Sequence, residues 1–146
     1  MKKILLTLVA IFSVGIFSAM ADNDKVINKN QLPAQAQQFL SEHFAGIEIT
    51  YAKEEWEVLK HSYEVRLADG SKLEFSSKGN WEEVDCQSGE VPSAIIPQPI
   101  KDYVEKNYAV AKILLIEKNR KDYEIKLSNR LELKFDKNFN ICDIDD

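Results

Sequence analysis

The 146-residue sequence has few of the residue types that carry out catalysis or hold cofactors. It contains two histidines and two cysteines, and the cysteines lie far apart rather than at the short spacing of a zinc site or a dithiol redox centre. Neither His43 nor His61 is near a cysteine in the chain, and no Gly-x-Ser-x-Gly elbow or phosphate-binding glycine loop is present. We therefore expect no enzymatic activity and no cofactor.

Long hydrophobic runs are also scarce, and the one that exists is at the N-terminus. Lys2-Lys3 precedes an apolar run at 4–17, and Ala19-Met20-Ala21 matches the small-x-small pattern of a cleavage site. The run is too short for a comfortable membrane span. We predict a signal peptide over residues 1–21, cleavage after Ala21, a periplasmic or secreted location, and no membrane insertion after cleavage.

Basic residues are in the minority. Without residues 1–21 the chain has 17 basic and 24 acidic residues, which is a formal net charge of −7. Nucleic acids and anionic lipid headgroups both attract a basic surface. The balance of charge therefore predicts that neither is a partner.

The sequence does contain a pattern that occurs twice. The apolar positions of 32–44 recur 64 residues later, and Tyr63-Glu64-Val65-Arg66-Leu67 recurs 60 residues later as Tyr123-Glu124-Ile125-Lys126-Leu127. Each copy shows apolar residues at helical spacing and then four stretches of alternating apolar and polar residues. The predicted organisation is a flexible leader at 22–31, a first repeat at 32–86, a linker at 87–95 and a second repeat at 96–146.

This pattern predicts an α+β fold. Two tandem α-β-β-β-β repeats would form a continuous antiparallel sheet with two helices packed on one face. Leu114 and Ile116 make their strand apolar on both faces, which indicates extra burial at the junction of the repeats or under a partner. Trp81 and Val84 differ in parity, so we predict a bulge near Glu82-Glu83.

These features resemble a family, the PepSY-like secreted proteins, whose fold is like that of the β-lactamase inhibitory protein. The resemblance rests on the helix openings Leu32-Pro33 and Ile96-Pro97, the two Tyr-Glu strands, the Asp69-Gly70 turn and Gly79-Asn80-Trp81. It covers essentially the whole mature chain. It implies two tandem helix-plus-four-strand units, export and no known catalytic residues. PepSY domains proper are associated with protease propeptides, which by analogy implies restraint of a peptidase.

The two repeats differ most in the first hairpin, where the first repeat has four extra residues within 55–62. Apolar side chains are unusual at a solvated hairpin end, and tryptophan is enriched in binding hot spots. Two interpretations stay open: the hairpin binds a partner, or it extends the sheet while Trp56 packs back on a helix. The candidate partner-binding residues are Tyr51, Trp56, Val58, Leu59, Glu64 and Arg66.

The expected function is that of a non-enzymatic exported binding module. It would use its polar sheet face and first hairpin against an unidentified protein or peptide in the cell envelope, as a monomer or weak dimer. Restraint or inhibition of an extracytoplasmic hydrolase or peptidase is the most concrete form. The alternatives are a carrier of a small ligand, with Tyr51 and Trp56 lining a cleft, and a structural protein of the envelope.

The two cysteines leave one further question open. An exported protein folds where disulfides can form. Cys86 and Cys142 do not occupy equivalent positions in the repeats, so a bridge between them would be peculiar to this chain. The sequence does not supply the separation of their Cα atoms, on which a bridge depends.

Overall fold

A computed structural model describes residues 23–146, and the predicted signal peptide and its cleavage site lie outside the described residues. The described residues form two α-helices and nine β-strands. In chain order the elements are β1 (Lys25–Val26), α1 (Ala34–His43), β2 (Ile49–Trp56), β3 (His61–Leu67), β4 (Lys72–Ser76), β5 (Trp81–Asp85), α2 (Gln98–Asn107), β6 (Ile113–Lys118), β7 (Asp122–Leu127), β8 (Glu132–Asp136) and β9 (Ile141–Asp145).

Each helix begins after a proline and buries one narrow apolar stripe. Pro33 and Pro97 are the N-cap residues of α1 and α2, where the missing N–H of proline removes no intrahelical hydrogen bond. Residues four positions apart lie on the same side of a helix, which is how the predicted stripes meet the sheet. The buried helix residues are Ala36, Leu40, Ile100 and Val104.

The nine strands form one antiparallel sheet in which the order of the strands follows the chain. Both helices pack on the same face. Phe39 of α1 contacts Phe75 edge-on with 5.6 Å between the ring centroids, and Tyr103 of α2 contacts Phe135 in the same way at 5.3 Å. Within residues 23–146 no helix covers the other face. The predicted α+β class and the continuous antiparallel sheet are confirmed.

The halves of the sheet join between β5 and β6. Val84 and Ile116 are paired across this boundary, and both side chains are fully buried. Beyond the paired residues, the Cys86 N–H donates a hydrogen bond to the Leu114 carbonyl oxygen at 2.9 Å. Burial at the junction, one of the two explanations offered for the apolar strand, is therefore confirmed for Ile116.

The predicted bulge in β5 is confirmed. Between Trp81 and Glu83, the residue Glu82 has no partner in β4. One extra residue changes the parity of a strand, so Trp81 and Val84 both face the core. Cys142 is unpaired in the same manner in β9.

Residues 25–31 differ from the flexible leader that the sequence predicted. β1 pairs with β2, the Ile27 N–H donates to the Ala52 carbonyl oxygen at 2.9 Å, and Ile27 is buried. A two-residue strand and one anchoring side chain are too short to produce the periodicity on which the prediction relied. The linker also packs back: Val91 is buried, and its N–H donates to the Ile113 carbonyl oxygen at 2.8 Å.

Candidate functional site

The six candidate binding residues lie on different sides of the β2–β3 hairpin. We call the uncovered side of the sheet the open face and the side that carries the helices the helix face. Tyr51, Glu64 and Arg66 belong to the open face, because the side chain of Val65 between them points into the core. Trp56 is on the helix face, opposite His61. Val58 and Leu59 are in the turn. The sequence therefore predicted one binding surface, whereas the structure distributes the six residues over the open face, the helix face and the turn.

On the open face, Glu64 lies between two cations. Arg66 Nε donates to Glu64 Oε1 at 2.7 Å, and Lys53 Nζ is 3.8 Å from Glu64 Oε2. Lys53 also pairs with Asp24 at 3.1 Å and with Glu55. The hydrogen bond to Glu55 is the largest cause of the raised pKa of Lys53. Glu64 is buried, so of this ion pair only Arg66 is available to a partner.

A row of five glutamates crosses the open face. Register places one glutamate from each of β3 to β7 side by side. The row consists of Glu64, Glu74, Glu83, Glu117 and Glu124. Sequence reasoning assigned Glu64, Glu74 and Glu124 to the polar face. It did not assign Glu83 or Glu117, and it did not place the five in one row. The alternation of apolar and polar residues shows which face of the sheet a side chain is on. Alignment into a row depends instead on the pairing register across five strands.

Lysines neutralise this row at several points. Lys72 Nζ is 2.8 Å from Glu83 and 3.1 Å from Glu74, and Lys134 Nζ is 3.1 Å from Glu124. Burial lowers the pKa of Lys72, but its bonds to the two glutamates outweigh burial and raise it overall. The pKa of the Glu117 carboxyl is raised by burial and then by the neighbouring glutamates. Among residues 23–146, Glu117 is the member of the row for which no lysine or arginine forms an ion pair, so negative charge is least compensated there.

The helix face of the first hairpin carries an aromatic stack. The rings of Trp56 and His61 are nearly parallel, with an interplanar angle of 7° and 3.7 Å between centroids. His61 Nε2 is 2.7 Å from Glu54 Oε1, and the Tyr63 hydroxyl donates to the same oxygen at 3.4 Å. Trp56 remains 52% exposed. It is held by its hairpin partner and does not pack back on a helix, so the second interpretation of this hairpin is wrong in that respect.

The tip of this hairpin is apolar and fully solvated. Glu57 and Lys60 close the turn through backbone hydrogen bonds in both directions, at 2.8 and 3.4 Å. Val58 and Leu59 between them are each 99% exposed. Apolar side chains gain nothing for the fold at such a position.

Comparison with known proteins places the chain in a family. The model of a family described as "Putative beta-lactamase-inhibitor-like, PepSY-like" matches residues 61–143, which is more than half of the chain. The chain belongs to the PepSY-like family. No curated protein matches this PepSY-like chain.

Solved structures of similar proteins come from Bacteroides species. A "putative calcium-regulated periplasmic protein" from Bacteroides thetaiotaomicron is 54% identical to the PepSY-like chain, with a TM-score of 0.82 over 84% of this chain and 97% of that one. A "putative periplasmic protein" from Bacteroides vulgatus is 49% identical, with a TM-score of 0.84 over 86% and 99% of the two chains. Another from that species, "of unknown function", is 42% identical, with a TM-score of 0.81 over 84% and 99%.

Two observations bear on location and chemistry in this PepSY-like protein. From Asn23 to the C-terminus, no helix is long and apolar enough to cross a membrane. The same part of the chain has no group of three or more histidine, cysteine or acidic side chains arranged to hold a metal ion. His43 lies against the Phe39 ring at 4.6 Å, and His61 stacks on Trp56, so both histidines serve as packing partners for aromatic rings.

The two cysteines of the PepSY-like chain are free. Cys86 follows β5 and is buried, whereas Cys142 is exposed on β9. Four strand spacings separate β5 from β9, a distance of about 19 Å, and a disulfide requires Cα atoms within about 7 Å. The disulfide that the sequence left open is therefore not formed, because the order of the strands keeps the two cysteines apart. The sequence did not show this order.

Thiol labelling tests this arrangement. We expect one cysteine to react in the native protein and two after denaturation, since burial protects Cys86 and also raises its pKa. The Cys142→Ser variant is the control and should show no native labelling. Native labelling of neither thiol would indicate a bridge and contradict the arrangement.

Two clefts lie away from the aromatic residues proposed for a small-ligand carrier. A cleft of about 470 Å³ opens between the C-terminal half of α1 and the start of β2. Leu40, Phe44 and Ile49 contribute apolar walls, and Lys29 and Glu48 contribute polar ones. Tyr51 and Trp56 do not line it. A second cleft of about 360 Å³ lies beside Gly79 and Trp81.

The exposure of Trp56 leads to a prediction about stability. We expect Trp56→Ala to lower the free energy of unfolding by about 1 kcal/mol, which is the usual contribution of an aromatic pair. Trp81→Ala is the comparison: this ring packs against the core and under Lys118 Nζ at 4.2 Å, so its loss should cost about 3 kcal/mol. Urea unfolding measures both. Equal losses would show that Trp56 is a core residue and remove it from the binding candidates.

The crowded glutamates lead to a prediction about pH. A carboxyl whose pKa is raised in the folded state makes the protein less stable as pH rises from the unfolded pKa through the folded one. Glu117→Gln removes this penalty, so we expect a higher free energy of unfolding than the wild type at pH 7 and little difference once the carboxyl is protonated. Glu132→Gln, on an exposed residue of β8, is the control. A Gln variant that is less stable than the wild type at pH 7 would contradict the assignment.

Proposed function

We propose that this PepSY-like protein is an exported, non-enzymatic binding protein whose open face binds a protein or peptide of the cell envelope. Its relatives are described as periplasmic, which supports export through the predicted signal peptide with cleavage after Ala21. Restraint of an extracytoplasmic hydrolase or peptidase is the most concrete form of the proposal. It is supported by the likeness of the family to β-lactamase inhibitors.

The observation that carries the proposal is the extent of the open face. The sheet has nine strands, and eight spacings of about 4.8 Å make it about 38 Å wide. Five-residue strands are about 17 Å long, so the flat area of the face is about 650 Å². The side chains that project from the face add to this area. A standard protein interface buries about 800 Å² on each partner. The open face is therefore of the size that a specific partner needs.

The charge of the face indicates the chemistry of the partner. Lysines compensate the other four glutamates of the row more than they compensate Glu117. A basic segment laid across the strands would relieve the repulsion among these carboxylates. We therefore expect a partner that presents lysine or arginine side chains.

The first hairpin contributes to the same surface through two of its candidate residues. Tyr51 is 37% exposed, and Arg66 is paired with it across β2 and β3. Tyrosine and arginine are among the types enriched at binding hot spots. Trp56, Val58 and Leu59 do not belong to this surface, because they lie on the helix face and in the turn.

We also infer that the two helix-plus-four-strand units are tandem repeats. Each unit has its bulges at positions that the sequence comparison aligns. Thr50 and Leu114 are the extra residues of β2 and β6, and Glu82 and Cys142 are those of β5 and β9. Bulges of this kind are retained within families.

A pull-down from native periplasm tests the proposed function. The baits are the wild type, an open-face variant (Glu74→Gln, Glu83→Gln and Glu124→Gln) and a helix-face variant (Glu42→Gln, Asp102→Asn and Glu105→Gln). Both variants lose three negative charges, so the comparison isolates position. We expect the open-face variant to recover about tenfold less partner, since three charge pairs at about 0.5 kcal/mol each correspond to that factor. Equal recovery by both variants, or no recovered protein with the wild type, would contradict the proposal.

Calcium is varied in the same experiment, because one relative is described as calcium-regulated. No described residues of the present chain form a metal-binding group. We therefore expect recovery of the partner to be the same with added calcium and with a chelator. A calcium-dependent recovery would show that the open face alone does not account for binding.

A further inference from the structure

The turns at one end of the sheet carry a charge opposite to that of the whole protein. We call this end the basic end, and it comprises the four turns at 57–60, 77–80, 119–121 and 137–140. These turns contain five basic residues and one acidic residue, Glu57. All five cations are exposed, and they are Lys60, Lys78, Arg120, Lys121 and Lys137. Of these, Lys60 also forms an ion pair, with its Nζ 3.0 Å from Glu82 Oε2 of β5.

The apolar tip of the first hairpin belongs to the same end. From the glutamate row, the β2–β3 hairpin extends about two residues further along each strand than the β6–β7 hairpin, which is about 7 Å. Val58 and Leu59 are therefore the most protruding side chains of this end, and Trp56 lies directly behind them. The basic end therefore consists of an apolar projection surrounded by cations.

The described chain also begins here. β1 is antiparallel to β2, with Lys25 paired to Glu54. Continuing this register places Asn23 level with Trp56.

We propose that the basic end docks peripherally on an anionic phospholipid bilayer, with Val58 and Leu59 in the headgroup region. Two weak signals are needed for stable peripheral attachment, and here they are apolar burial and a cationic cluster. Tryptophan is a side chain typical of the membrane interface. The cations are distributed over four turns along one edge, which fits a flat anionic surface.

The negative charge of the whole chain does not oppose this docking. The glutamate row is about four residues behind the tip, a distance of about 14 Å. Interactions in physiological salt are screened beyond about 8 Å. A headgroup at the tip therefore experiences the basic end rather than the average charge. The open face remains free, so this docking is independent of the proposed function.

Co-sedimentation of the mature protein with vesicles tests the proposal. We expect binding to vesicles of phosphatidylglycerol and phosphatidylethanolamine, and none to vesicles of phosphatidylcholine. The Arg120→Glu/Lys121→Glu variant should bind at least about 25-fold more weakly, because each of the two basic residues near an anionic surface contributes about fivefold. The Val58→Asp/Leu59→Asp variant should also lose binding. Every substituted residue is exposed, so unfolding temperatures should stay unchanged.

The opposite end of the sheet provides matched controls. Val110 is 97% exposed in the turn before β6, so Val110→Asp controls for an apolar-to-acidic change. Lys112→Glu/Arg130→Glu controls for charge reversal at that end. Both should bind like the wild type, as should the open-face glutamine variant. Equal losses in the controls would overturn the proposal. A wild type that binds no vesicles would overturn the proposal. If the basic-end variants then failed to capture an acidic protein that the wild type captures, the result would favour a protein partner.

Discussion

Replacing Gly79 with alanine is expected to lower the free energy of unfolding by about 3 kcal/mol. Gly79 lies in the turn between β4 and β5 with a φ of +86°. A Cβ at this position would be 2.8 Å from Pro33 Cβ and 2.9 Å from Ala36 N. The change therefore combines left-handed backbone strain with a clash against the first turn of α1, which is fixed by the burial of Ala36.

Gly46→Ala separates these two causes. Gly46 has a φ of +80°, and a Cβ added there would have nothing within 4 Å. We expect a loss of about 1 kcal/mol, which is the cost of the backbone conformation alone. Urea unfolding of both variants is the measurement. Similar losses would show that the turn is not pressed against the helix.

Replacing Ile116 with alanine is expected to cost about 3 kcal/mol, in the range typical of a buried isoleucine. Ile116 is fully buried and faces Val84 where the halves of the sheet meet. Because one core spans both halves, we expect the variant and the wild type each to unfold in a single transition. Ile144→Ala, at a side chain 48% exposed on β9, should cost less than about 1 kcal/mol.

The number of transitions is measured with two probes. Trp56 and Trp81 both precede α2, so tryptophan fluorescence reports the first half of the chain. Circular dichroism reports the helices and strands of both halves. Coincident curves are expected for a shared core. A fluorescence transition that separates from the dichroism transition would show that the halves fold independently.

Much of the fold followed from periodicity in the sequence. The helix stripes at Ala36 and Ile100, the bulge at Glu82 and the burial of Ile116 were predicted because each depends on the spacing of neighbouring residues. Strand β1 was missed because two residues carry no period. The correct features are local in the chain, and the missed one depends on pairing with distant β2.

The candidate site was predicted less well for the same reason. Alternation assigned Glu64 and Arg66 to the polar face, but register alone shows that Glu64 is buried and begins the glutamate row. The length of the first hairpin drew attention to Trp56, whose stacking on His61 depends on pairing across β2 and β3. Net charge predicts no attraction to anionic lipids. The proposed docking at the basic end departs from that prediction, because a sum over residues does not contain their positions. The fold places Arg120 and its basic neighbours at one end.

Photo-cross-linking in living cells tests the central claim, that the open face is the binding surface, most directly. A photoreactive amino acid replaces Lys126, which is exposed on the open face of β7, or Gln38, which is exposed on α1. We predict a discrete cross-linked protein from position 126 and none from position 38, with loss of the product when Glu74, Glu83 and Glu124 are changed to glutamine. Cross-linking from position 38 alone, or equally from both positions, would contradict the claim.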